Sequence, residues 1–285
     1  MQSQVIVALD GSTEAEAILP HALFIALQTQ SVLTLLRVIM PPDEPGYGAQ
    51  YIPDDWYAGE VSWTKNYLAG LATRLQGQGA RVHIQHVEGT FAGAAINSYA
   101  AQHAGVQLIA LATHGRSAGG RLLLGSVAGD VLASAPTSLL LLHPPKDRQL
   151  PPGPITQASY QTIVVPLDGM VGSERVLQQA TRLALASHAS LLLVADPPPP
   201  LHDQQVRAQE EMREAGLLEE QAERLRAGSG LAVRTSYTDG DPQTFIERLQ
   251  LESRQPLLIV TTRATAEHKV MRFLHQSTVP VLFVA

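Results

Sequence analysis

The pentapeptide Val7-Ala-Leu-Asp-Gly11 returns 158 residues later as Val165-Pro-Leu-Asp-Gly169, each time closing a β-branched run and preceding a helical pattern. A repeat on this scale means that one supersecondary plan is used twice, so the 285-residue chain is expected to build two copies of one fold. Between the copies lies Pro144-Pro-Lys-Asp-Arg-Gln-Leu-Pro-Pro-Gly-Pro154. Proline fixes φ and lacks an N–H, so this stretch sustains neither a helix nor a central strand and reads as a stiff linker. Domains are therefore expected over 1–145 and 159–285.

Each copy alternates two kinds of pattern. In the first, apolar runs near 4–9, 31–38, 81–87, 106–112 and 138–143 alternate with helical periodicity near 14–29, 60–77, 91–103 and 126–134. In the second, strands are expected near 162–167, 190–195, 231–237, 256–261 and 280–284. Gly240-Asp-Pro242 reads as a helix start, and a charged, solvated helix is expected from Gln204 to Arg226. Runs such as Leu139-Leu-Leu-Leu142 are apolar on both faces, as in a parallel sheet covered by helices on either side. The fold class is α/β: two tandem, doubly wound, Rossmann-like parallel-sheet domains.

Composition removes several classes of function. The apolar runs are far too short to span a bilayer, and the N-terminus lacks a basic region followed by a long apolar stretch, so neither membrane nor secretory signal is expected and the protein is placed in the cytoplasm. The absence of cysteine excludes disulfides, thiolate nucleophiles and cysteine metal sites. A formal net charge of −6 argues against binding along a nucleic-acid backbone. His83 and His86, at odd spacing on a strand, face opposite sides and make a poor metal pair.

The segment from Ala112 to Ser126 joins a strand to a helix through glycines, hydroxyls and cations. Between Val106 and Gly129 there is no Asp or Glu, whereas His114, Arg116 and Arg121 are present, so the local field favours a phosphate over a metal ion. Gly115 and Gly125 leave room for backbone amides to approach a ligand, and Ser126 stands where a helix N-terminus attracts negative charge. The spacing from Gly115 to Gly120 imitates a P-loop, but the lysine and hydroxyl that such a loop needs are Arg121 and Leu122. Without further information this pattern accepts many phosphates.

Val7-Ala-Leu-Asp-Gly-Ser12, Leu35-Leu-Arg-Val38, Thr113-His-Gly-Arg-Ser117 and Leu124-Gly-Ser-Val-Ala128, with a closing strand after Ala135-Pro136, resemble the universal stress protein family in tandem form. The family signature is Gly, two residues, Gly, nine residues, Gly, then Ser or Thr. Gly115, Gly125 and Ser126 match its last three fixed positions, and Ala112 replaces the first glycine. The resemblance implies a sheet order of 3-2-1-4-5, with a crevice where the order reverses. It further implies that Leu9, Asp10 and Val38 flank adenine and ribose. Gly115, Arg116, Ser117, Gly125, Ser126 and Val127 would surround the phosphates, with Ala112, Thr113 and His114 leading into them. The ligand implied is ATP with Mg²⁺.

The second copy departs from this pattern. After Leu257-Leu-Ile-Val-Thr-Thr262 comes Arg263-Ala-Thr-Ala-Glu267, without glycine and with a carboxylate where phosphates would lie. Asp168 is retained, but one nucleotide per chain is expected, in the first copy. Asp10 has a second reading as the cap of the helix beginning near Glu14. The aromatic and acidic segment 41–57 reads equally as a lid and as a surface excursion.

A regulatory, stress-response binding module is expected rather than an enzyme, because no general base accompanies the cations. Slow ATP hydrolysis or self-phosphorylation at Ser117 or Ser126 is the enzymatic alternative, and a scaffold that has lost its nucleotide is another. The apolar last strands, Leu139–His143 and Val281–Ala285, are hazardous edges expected to pair, and the family resemblance implies that they pair the two domains and associate two chains into a homodimer.

Overall fold

The computed structural model describes residues 2–41, 55–113, 125–144, 150–167, 173–195, 204–237, 245, 248–249, 256–262 and 278–285, leaving aside the side chains of 173, 204–211 and 214. The chain divides into two compact units, Met1–Ala158 and Ser159–Ala285.

In the first unit the elements run β1 (Gln4–Ala8), α1 (Thr13–Glu16), α2 (Leu19–Gln28), β2 (Val32–Ile39), α3 (Trp56–Gln76) and β3 (Val82–Glu88). They continue with α4 (Ala92–Gln102), β4 (Val106–Ala112), α5 (Ser126–Ser134) and β5 (Ser138–Leu142). The sheet is parallel throughout, in the order β3-β2-β1-β4-β5. Val7 is registered between Leu35 and Ala110, and Ala110 against Leu140. Val5, Ile6 and Val7 are buried one after another, as are Leu139 to Leu142, because helices cover both faces of the central strands.

The strand order explains where a ligand site must fall. The chain steps outward from β1 to β2 to β3 through α1, α2 and α3, then crosses back to β4. With right-handed crossovers this reversal sends α4 and α5 to the opposite face, where they pack on each other. The gap between the loops leaving β1 and β4 is the topological switch point.

Three local departures from the sequence expectation have physical causes. The helix expected over 14–29 is two helices, α1 and α2, with Pro20 in the first turn of α2. Proline has no N–H for an interior helical bond but fits a first turn, so the chain breaks before it. The helix expected from 60 begins at Trp56. The linker is not wholly exposed chain: Ile155 is buried and its N–H donates to the Arg74 carbonyl (3.2 Å), while the Ala158 N–H donates to the Pro20 carbonyl (2.8 Å). At the foot of the sheet, a Cβ on Gly105 would lie 2.4 Å from the Gln2 carbonyl oxygen, so only glycine allows this approach of β4 to β1.

The second unit repeats the plan. Its elements are β6 (Thr162–Leu167), α6 (Ser173–Ser187), β7 (Ser190–Ala195), α7 (Gln204–Ser229), β8 (Val233–Tyr237), β9 (Leu257–Thr262) and β10 (Val281–Val284). The parallel order β8-β7-β6-β9-β10 is the same topology as in the first unit. The charged α7 buries Leu218 and Ala222 and is fastened to β8 by Arg226, which donates to the Val233 carbonyl (2.7 Å) and to Glu219 (2.6 Å). That pairing, with a hydrogen bond from Thr235, holds the Glu219 carboxyl below its usual range. The expected helix start at Gly240–Pro242, Asp168 and the segment after Thr262 lie outside the described residues.

Candidate functional site

At the switch point of the first unit lies a cleft of about 300 Å³, the lower end of the range for small-molecule sites. Leu9 and Asp10 enter it from β1, Val38 from β2, and Ala112 and Thr113 from β4. Gly125, Ser126 and Val127 enter from the start of α5. Eight of the sequence-predicted site residues therefore meet in one place although the first and last are 118 positions apart. The other four, His114, Gly115, Arg116 and Ser117, lie outside the described residues, as does most of the 41–57 segment.

The end of the cleft between β4 and α5 takes its shape from one hydrogen bond. The Thr113 N–H donates to the Leu142 carbonyl (2.8 Å), extending the β4–β5 ladder, and the Thr113 carbonyl accepts from the Gly125 N–H (2.8 Å). This holds Thr113 and Gly125 together across the eleven residues between them. Thr113 is 1% exposed, and its hydroxyl meets His143 Nδ1 at 3.2 Å. The Gly125 amide, expected to face a ligand, is committed to this neck, and its φ of −56° is open to any residue. The amides of the next turn stand at the cleft. Ser126, Val127 and Ala128 are the first residues of α5, where N–H groups have no partner within the helix, and that turn contains no acidic side chain.

Asp10 does not itself cap α1. Its Oδ1 accepts from the Ser12 N–H (2.9 Å) and hydroxyl (2.6 Å), while the Ser12 hydroxyl accepts from the Ala15 N–H (3.1 Å), so Ser12 is the N-cap and Asp10 holds the cap in place. Ala112 closes β4 opposite Leu142, and a strand conformation demands no glycine. Ala92 and Ile96 from α4 and Leu111 from β4 add an apolar part of the wall.

A family model for the universal stress protein family matches residues 1–143 and 159–285. The chain belongs to the universal stress protein family. Among solved structures, a universal stress protein from Archaeoglobus fulgidus DSM 4304 is 16% identical, covers 99% of this chain and 95% of its own length, and superposes with a TM-score of 0.66. A putative universal stress protein from Pseudomonas aeruginosa UCBPP-PA14 is 18% identical, with coverages of 99% and 93% and a TM-score of 0.61. At these identities the likeness is one of fold. No curated protein matches the sequence.

This universal stress protein places one ion pair at the cleft that sequence reasoning did not single out. Arg37 and Glu60 both line it. Arg37 is 9% exposed and donates to the Glu60 carboxylate (3.0 Å) and to the Thr64 hydroxyl, with its guanidinium 4.6 Å from the centre of the Trp63 ring. Trp63 in turn stacks on Tyr67 at 5.2 Å. Charge-assisted bonding and the aromatic face together make burial of the cation tolerable. The available signal was the lone charged residue inside the largely apolar β2 run, but its carboxylate lies 23 residues away on α3.

Proposed function

We propose that the first unit binds one adenine nucleotide, ATP, and that this universal stress protein works as a cytoplasmic nucleotide-responsive module rather than as a turnover enzyme. The observation that carries the reading is the N-terminus of α5. Its first turn lines a cleft whose other walls are strand ends, apolar side chains and the Arg37–Glu60 ion pair. Such a terminus favours phosphate through its amides and its dipole together.

The described lining fits the group in kind. Ser126 and Val127 would hold phosphate oxygens through their N–H groups, and Val38, Leu9 and Asp10 would meet the nucleoside, as the family resemblance implies. Mg²⁺ would arrive on the phosphates. Among the described residues no group of three or more His, Asp or Glu offers a metal site, and no helix is long and apolar enough to cross a membrane.

Isothermal titration with Mg-ATP, beside the variant Ser126→Asp, tests the reading. An aspartate in the first turn of α5 stabilises the helix by about 0.3–1 kcal/mol while repelling phosphate. The expected result is one site per chain in the wild type, an affinity at least about tenfold weaker in S126D, which is about 1.4 kcal/mol, and no loss of thermal stability. Two equivalent sites refute the assignment to the first unit alone. The same affinity in S126D, or no ATP-dependent rise in melting temperature at millimolar nucleotide, refutes the site itself.

A further inference from the structure

The carboxylate that orders the cleft rim is connected, through the Ser12 cap, α1 and the Glu16–Arg74 ion pair, to the segment that leads out of the first unit. Asp10 fixes Ser12, and Ser12 caps α1, a single turn that ends at Glu16. Glu16 is half-buried and faces the Tyr67 hydroxyl and the Arg74 guanidinium, the latter at 3.9 Å. Burial raises the Glu16 pKa, against the pull of Tyr67 and Arg74, so this carboxylate is poised rather than comfortably solvated. Arg74 then reaches away from the cleft, donating through Nε to the Gly153 carbonyl (2.8 Å) and through Nη2 to the Pro151 carbonyl (2.8 Å). Its own carbonyl holds the Ile155 N–H, and Pro20, just beyond α1, holds the Ala158 N–H.

Residues 151–158 are thus gripped at two points, Arg74 and Pro20, both adjoining the short helix whose start is set at the cleft. An isolated surface pair at 3.9 Å would do little for stability. A guanidinium that joins a half-buried carboxylate to two carbonyls of another segment instead couples the positions of both.

We propose that α1 is a transmission element: a ligand engaging Asp10 shifts the Ser12 cap, and α1 passes the displacement through Glu16, Arg74 and Pro20 to residues 151–158. The identity of the trigger rests on the nucleotide reading above. The path itself exists without ligand. By reciprocity, loosening the grip on 151–158 changes the affinity of the cleft by the same factor.

Hydrogen exchange of the peptides covering 150–158, measured on the full chain, tests this in two arms. Without ligand, Arg74→Met is expected to speed exchange there, and Asp10→Ala and Ser12→Ala to speed it by up to about fivefold, the effect of a lost cap. Tryptophan fluorescence confirms that each variant is folded. Unchanged exchange at 150–158 in both D10A and S12A overturns the path, and unchanged exchange in R74M overturns the grip, whether or not ATP binds. With ATP, wild-type exchange at 150–158 is expected to change, and the change to be lost in R74M while calorimetry still records binding. Binding without any change at 150–158 overturns the transmission but leaves the proposed function standing. Absence of binding overturns that function, and the ligand-free arm then decides the path.

Discussion

Gly93, in the first turn of α4, packs directly against α5. A Cβ built there would lie 2.5 Å from the Asp130 Cβ and 3.2 Å from the Val127 carbonyl oxygen. Carbon atoms rest at about 3.5–4 Å, so Gly93→Ala must part the helices by about 1 Å. The obstructing Asp130 atom is fixed to the α5 backbone and cannot swing aside. Overpacking of this kind costs about 1–3 kcal/mol, against an intrinsic helical gain of about 1 kcal/mol for replacing glycine by alanine. The net expectation is a loss of up to about 2 kcal/mol.

The control is Gly70→Ala on α3, an exposed helical glycine with nothing within 4 Å of its Cβ position. It is expected to stabilise by about 0.4–1 kcal/mol. Both tryptophans, Trp56 and Trp63, lie on α3, so their emission during urea unfolding reports on the first unit by itself. Because a displaced α5 carries Ser126 and Val127 with it, G93A is also expected to weaken ATP binding, whereas G70A leaves it unchanged. Stabilisation by G93A comparable to that of G70A would show that the α4–α5 contact is slack and that the cleft does not depend on it.

Glu60→Ala leaves the buried Arg37 without its carboxylate and is expected to cost about 1–2 kcal/mol by urea unfolding, below the figure for a fully buried pair because Glu60 is 32% exposed; an unchanged midpoint would refute the pairing. Glu16 is raised above its ordinary pKa in the folded unit, so its contribution is fully present at low pH and is lost as pH climbs through and above the usual carboxylate range. Stability of Glu16→Gln relative to wild type should accordingly rise over that interval in unfolding measured from pH 4 upward, and a flat difference would contradict the direction. The homodimer expected from the apolar last strands predicts twice the chain mass in light scattering, and a monodisperse monomer removes it.

Where a residue's role is decided within a few neighbours, it could be read from the sequence. The strand Val106–Ala112 and the helix Ser126–Ser134 have the bounds their patterns indicate, because each is a sustained run with abrupt ends. The meeting of Asp10 with Thr113 and Ser126 was legible through the family resemblance, since it follows from strand order. Three features were not legible. Asp10 and Ser12 are both competent caps, and only backbone geometry selects Ser12. Gly125 has the residue type for ligand approach, yet its amide is claimed by the Thr113 carbonyl, a contact between residues twelve positions apart. The partnership of Arg37 with Glu60 exists only once α3 is laid against β2.

The Thr113–Gly125 bond has an evolutionary corollary. Eleven residues lie between its two ends, and as long as the knot holds, the scaffold is insulated from what that insert contains. Sequence there can drift, gain a new specificity or lose one without disturbing the strands beneath.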